Sequence, residues 1–362
     1  MRRIYILGLL LLMTCCGGGP GRLKTLTKDG IPYQSHRTTI DLPGNSARFK
    51  VQYTGCGGLY ILKDNHAIML DPFFSNQKIM RVGSSMLTGK KKIASNPEMI
   101  DSGIASLEEV MGKLSNYTTT IFSAHSHYDH LMDVPAVFAR LEKLPDVYLN
   151  RSGFNTCYNV VDTVKMKILE DHMTTQEVTR PPIVLKNDDQ AIHVYPILGD
   201  HNPHFNNIKF FSGSKTEPVG YFGDPFAKTG VNDWLDGNTF SFLIDYLGND
   251  GVIDLRIFIQ SSSCNPPAGI PPATLLKGRP VDLAFLGLAS FHFSPDYPCA
   301  LLKEIQPKEI VWMHWEDFFR KYSKEPKTLR RTDLVKFFNL PCVKPYKAKA
   351  LLPWPGVGYD FE

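Results

Sequence analysis

TTIFSAHSHYDH, residues 119–130, joins a strand to a cluster of metal-ligating side chains. Thr119 to Ser123 is a short apolar run rich in β-branched residues, the pattern of a buried strand. It leads directly into HSHYDH, which sets three imidazoles and a carboxylate within six residues. Borderline divalent metals prefer these donors. Side chains alternate along extended backbone, so His125 and His127 project to one side. Asp129 and His130 stand at the start of a helical pattern from Leu131 to Leu144 and face an adjacent position. Pro135 fits an early turn of that helix. A lone histidine is more often structural, but four ligating groups in this order form a metal-binding element.

The same alternation of strands and helices extends outward. Ala67 to Asp71, Val147 to Asn150, Ile192 to Ile197 and Thr239 to Asp245 read as buried strands. Asp254 to Ile259, Val281 to Leu286 and Glu309 to Met313 read the same way. Helical spacing marks Ile104 to Leu114, with Ser102 as its cap, and also Tyr297 to Ile305 and Thr332 to Phe338. Strands separated by helices predict an α/β protein whose sheets are covered by helices. Residues 200–238 break the pattern, being rich in Gly, Pro, Asn, Asp and aromatics without a period. So long an irregular stretch reads as an insertion folded over a site, and its aromatics, Phe211 among them, would shape access.

The chain has 362 residues, 43% of them hydrophobic and 21% charged, which is ample for a sizeable core. A net charge of +4, without a basic run carrying interleaved aromatics, argues against a nucleic-acid partner. Arg2 and Arg3, then the apolar run Ile4 to Met13, read as a secretory signal too short to span a bilayer. LMTCCGGG follows, with Leu12 three positions before Cys15. This resembles a bacterial lipoprotein signal, with lipid on Cys15 or Cys16 and residues 17–21 as a Gly-rich leash. It implies a lipid-anchored protein of the bacterial envelope, periplasmic or surface-facing. Cys56, Cys157, Cys264, Cys299 and Cys342 are widely spaced, with no CxxC, so the sequence does not pair them. Most read as small buried apolar residues.

Strand, HxHxDH, then helix resembles the signature of the metallo-β-lactamase superfamily. Other stretches match in order: MLDPFFS with Asp71, LGDHNPH with His201 or else His204, and IVWMHWEDF with His314. LDPxxS is similar to the lactonase-like and N-acyl-phosphatidylethanolamine phospholipase D-like branch. The resemblance covers roughly residues 51–319, within one domain expected over 45–350. It implies a four-layer αβ/βα sandwich with the site at one edge of two sheets. It further implies one divalent ion, or two, held by His125, His127 and His201 and by Asp129, His130 and His314. Zinc suits the donors, with manganese or iron as alternatives. The implied chemistry is hydrolysis of an ester-type bond, a phosphodiester or lactone in a small or lipid-like substrate, through a metal-bound hydroxide. Asp71 would orient a ligand histidine. Asp129, Asp71 and His292, the last in SFHFSPD at a strand end, are the candidate catalytic residues.

The resemblance also implies an aspartate bridging the two ions. In RIFIQSSSC the matching position falls on Ser262, or on its neighbours Gln260 and Ser261. Three outcomes follow. One ion binds tightly; or another carboxylate, Asp224 in GYFGDPF or Asp200, takes over; or the site is degenerate. A mononuclear-iron oxidoreductase and a non-catalytic metal-binding lipoprotein are the competing readings.

Overall fold

The structure is a computed structural model that describes residues 33–42, 48–187, 190–204, 208–219, 223–346 and 351–362. The expected signal and leash, with Cys15 and Cys16, lie outside the described residues. Among the described residues fourteen strands form two sheets. The first seven are β1 (Thr38–Ile40), β2 (Phe49–Gly55), β3 (Gly58–Lys63), β4 (His66–Leu70), β5 (Thr118–Phe122), β6 (Asp146–Leu149) and β7 (Met166–Ile168). Then follow β8 (Ile183–Asn187), β9 (Gln190–Leu198), β10 (Phe240–Leu247), β11 (Ile253–Gln260), β12 (Leu283–Gly287), β13 (Glu309–Met313) and β14 (Gly358–Phe361). The first sheet runs β1-β14-β2-β3-β4-β5-β6-β7 and the second β13-β12-β11-β10-β9-β8.

Each sheet has an antiparallel part and a parallel part. β2, β3 and β4 form a meander, after which β4 to β7 pair in parallel. β8 to β11 are antiparallel, and β11 to β13 parallel. The parallel connections carry helices, as such crossovers require. Strand alternation then sorts the core into three slabs. Met69, Ile121 and Val147 face out and pack with Ile100, Leu107 and Val137 of the helices on that side. Leu70 and Phe122 face in and meet Phe242, Ile257 and Met313 of the second sheet. Phe258, Leu286 and Trp312 face the far side, against Leu301 and Phe337. The layers are therefore helices, sheet, sheet, helices: the αβ/βα sandwich.

Some expectations shift. The first sheet reaches beyond 45–350, since β1 and β14 pair with each other outside that span. The helix expected from Ile104 with a Ser102 cap begins at Pro97 and ends at Met111. Asn96 caps it by accepting from the Met99 N–H, and Pro97 suits the first turn. The expected helix Leu131 to Leu144 is two short pieces, Tyr128–Leu131 and Val134–Phe138. Pro135 has no N–H to give to the Leu131 carbonyl, and the Asp133 carboxylate instead accepts from the N–H groups of Phe74 and Ser75. Cys299 and Cys342 form a disulfide, while Cys56, Cys157 and Cys264 are free and buried. Among the described residues no helix is long and apolar enough to cross a membrane.

Candidate metal centre

The candidate residues gather where strands of both sheets end. Asp71 follows β4, His125 follows β5, His201 follows β9 and His314 follows β13. Two groups result, each with its ligand atoms within 4.8 Å of one another: His125, His127 and His201, and Cys56, Asp129, His130 and His314. They are contiguous, with the His125 and His130 rings 4.0 Å apart.

The HSH loop is fixed through its backbone. The Ser123 hydroxyl donates to the His125 carbonyl at 2.8 Å, and the Ala124 N–H donates to Asp71 Oδ1 at 2.8 Å. The Ser126 N–H donates to the Asp236 carbonyl at 3.0 Å, so the irregular 200–238 segment pins the loop between its two histidines. Asn150 strengthens that clamp by donating to the carbonyls of Asp236 and Asn238 and accepting from the Ser126 hydroxyl. His125 Nε2 and His127 Nδ1 lie 3.0 Å apart. His201 Nδ1 is paired with the Asn202 carbonyl at 2.7 Å, which leaves its other nitrogen for the group. Phe211 stands edge-on to His127, with ring centroids 6.0 Å apart.

The second group is framed by buried carboxylates. His130 Nδ1 meets Asp71 Oδ2 at 2.9 Å, leaving Nε2 toward Asp129, 3.9 Å from its Oδ2. A carboxylate–imidazole pairing of this kind fixes the ring's tautomer, as it does for metal-ligating histidines in general. Glu316 accepts from the Cys56 N–H and from the Tyr53 hydroxyl, both at 2.6 Å. Tyr53 in turn accepts from the His314 N–H at 2.8 Å. One frame thus fixes two donors, Cys56 and His314. Cys56, Asp71 and His314 have φ of 52°, 44° and 54°, in the left-handed region. Such residues cost on the order of 1 kcal/mol or more each and persist where surrounding contacts hold them.

Burial sets the protonation states. It pulls His125, His127 and His314 well below the ordinary imidazole range and His201 to about 4, so all are neutral, as metal ligands must be. Burial also pulls on His130, but the charge and hydrogen bond of Asp71 outweigh it and raise that imidazole. The buried nitrogens His125 Nδ1 and His314 Nδ1 have no hydrogen-bond partner. The opposite ring nitrogens face the cluster, His125 Nε2 toward His127 Nδ1 and His314 Nε2 toward Cys56 Sγ, and imidazole, carboxylate and thiol donors gathered this closely are the set a borderline divalent ion takes. The residues fit the group.

Five histidines and Asp129 therefore lie together, and Asp71 stands behind His130. His292 is not gathered with them. It lies exposed in the short 3-10 turn Phe291–Phe293, its ring tilted against Phe293 with centroids 4.0 Å apart, near the charges of Arg331 and Lys336. His204, the alternative to His201, stacks on it at 4.7 Å and accepts from the Phe210 N–H. Asp224 is exposed and accepts from the Phe226 N–H in its own turn, and Asp200 is paired with Lys209; neither joins a group. Gln260 turns away to the Ser241 hydroxyl at 3.0 Å. Sequence reasoning missed Cys56. Its signal was TGCGG, a cysteine between glycines in a tight turn of left-handed backbone.

No protein-family model and no curated protein matches the chain. Solved structures do. A metallo hydrolase from Ignicoccus hospitalis is 13% identical with a TM-score of 0.44, over 87% of this chain and 99% of that one. The metallo-β-lactamase fold protein YhfI from Bacillus subtilis is 10% identical with a TM-score of 0.43, over 86% and 98%. An isothiocyanate hydrolase from Delia radicum gut bacteria is 12% identical with a TM-score of 0.44, over 85% and 98%. At such low identity these are likenesses of architecture, and chemistry has to come from the side chains themselves.

Proposed function

We propose that this protein is a metal-dependent hydrolase that cleaves an ester-type bond, a phosphodiester or a lactone, in a small or lipid-like substrate. The contiguity of two ligand groups at one sheet edge carries the reading. His125, His127 and His201 would hold one divalent ion, and Asp129, His130 and His314 a second. Bound divalent ions supply Lewis acidity toward a substrate oxygen and make water a usable nucleophile near neutral pH. Zinc best suits these donors, with manganese and iron as alternatives.

The chain's own residues do the positioning. Asp71 holds His130 in one tautomer, and the Asn202 carbonyl does the same for His201. Asp236 and Asn150 keep the HSH loop in register. Phe211 offers an apolar wall beside His127, which favours a substrate with an apolar part. In the same reading, a lipid on Cys15 or Cys16 tethers the enzyme in a bacterial envelope. The Cys299–Cys342 disulfide supports an oxidising compartment. Labelled fatty acid should enter the wild-type chain and not the Cys15→Ser/Cys16→Ser variant.

The enzymatic claim is tested on a panel of chromogenic phosphodiesters and lactones. Hydrolysis should vanish on chelation, return with zinc, and be absent in His127→Ala. Reconstituted protein that hydrolyses neither class would overturn it. Iron with oxygen consumption would mark an oxidoreductase instead, and bound metal without turnover a binding lipoprotein.

A further inference from the structure

The strand end where a bridging aspartate is expected offers Gln260, Ser261 and Ser262, and among the described residues neither Asp224 nor Asp200 moves in to replace it. What abuts that strand end is the β2–β3 turn. A methyl group added to Gly57 would come within 2.9 Å of Ser261 Cβ. Next to Gly57 is Cys56, whose Sγ lies 3.5 Å from Asp129 Oδ2 and 3.7 Å from His314 Nε2.

These distances have a chemical meaning. A tetrahedral zinc, with bonds of about 2.3 Å to sulfur and about 2.0 Å to nitrogen or oxygen, separates a sulfur from its neighbouring ligands by about 3.5 Å. Cys56 stands at that spacing from Asp129 and from His314 Nε2, and the ligand atoms of Cys56, Asp129, His130 and His314 all lie within 4.8 Å of one another. Cys56 is completely buried, and its backbone is locked by Glu316, so the thiol is fixed in place. Cys157 and Cys264, the other free buried cysteines, belong to no such group.

We propose that the Cys56 thiolate is the fourth ligand of the second ion, replacing the absent bridging carboxylate and closing that site with four protein donors. This rests on the metal-centre reading above and assigns different work to the two sites. A site with four protein ligands is filled, as structural zinc sites are, whereas one with three keeps a position open, as catalytic sites do. The His125–His127–His201 site is then the one that engages substrate. The Cys56 site anchors the β2–β3 turn to β13 and supplies fixed charge beside the reaction. Ligation forms a metal–sulfur bond and releases the thiol proton to solvent.

The test is cobalt loading of the full-length chain, read by elemental analysis and by the near-ultraviolet thiolate-to-cobalt charge-transfer band. Wild-type protein should bind two cobalt ions and show the band. Cys56→Ser should lose the band and one ion. A chain with Cys15→Ser, Cys16→Ser, Cys157→Ser and Cys264→Ser keeps Cys56 as its only free thiol and should retain both, which holds the test open if Cys56→Ser does not fold. Cobalt bound with no thiolate band, or a band that survives in Cys56→Ser, would overturn the Cys56 assignment while leaving the metal centre standing. A chain that takes up no cobalt would overturn both.

Discussion

The three-histidine group and the Cys56 group sit ring to ring but are held by different means. His125, His127 and His201 lie on loops pinned by backbone hydrogen bonds and by the irregular 200–238 segment, touching the second group's frame through the Ala124 N–H bond to Asp71. Cys56, His130 and His314 are held by two buried carboxylates, Asp71 and Glu316, and two of those donors occupy left-handed backbone. The first group is a cluster of ligands on a supported loop. In the second, ligand geometry and core integrity are one network. Damage to the first should therefore cost function with little cost in stability, and damage to the second should cost both.

The largest effect tests the first half of that contrast. His127→Ala should reduce hydrolysis to background and remove one ion, yet leave thermal unfolding of the metal-free protein near wild type. A large fall in metal-free stability would break the contrast. Glu316→Ala comes next. It strands the Cys56 N–H and the Tyr53 hydroxyl, each a buried donor whose loss of partner costs about 1–3 kcal/mol. Denaturant unfolding should show that loss even without metal. Asp71→Asn removes charge but little volume, so it should weaken binding of the second ion by about 10–100-fold while the fold persists.

Smaller effects sharpen the outline of the site. Phe211→Ala should raise KM for apolar substrates by up to about tenfold, with kcat less affected, since an aromatic contact is worth about 0.5–1.5 kcal/mol. Asp224→Asn should change neither metal content nor rate, because that carboxylate is exposed and serves only its own turn. A marked loss of metal in Asp224→Asn would return it to the position of the missing bridge.

Legibility in the sequence followed the same divide. β5 and the HSHYDH loop could be read from contiguous residues, and β13 with His314 from an intact apolar run. β2 and β3 could not. Nearly every residue of that hairpin is buried, including the polar Gln52 and Lys63, so FKVQYTG and GLYILK lack the alternation that marks a half-exposed strand. Missing the hairpin meant missing Cys56, which matters only because the turn is folded against Ser261 and β13. The helix after His130 was overextended because the pull of Asp133 toward Phe74 and Ser75 is a tertiary contact without local trace. His292 had a strand-end position in its favour, but which way a turn points its side chain is decided by packing, here against Phe293.

The most direct test of the account is the metal content of the full-length protein, purified without chelator and measured by elemental analysis. The protein should carry about two equivalents of transition metal per chain, falling to about one in His127→Ala. Protein that carries no transition metal, and takes none up when zinc, manganese or iron is offered, would contradict it.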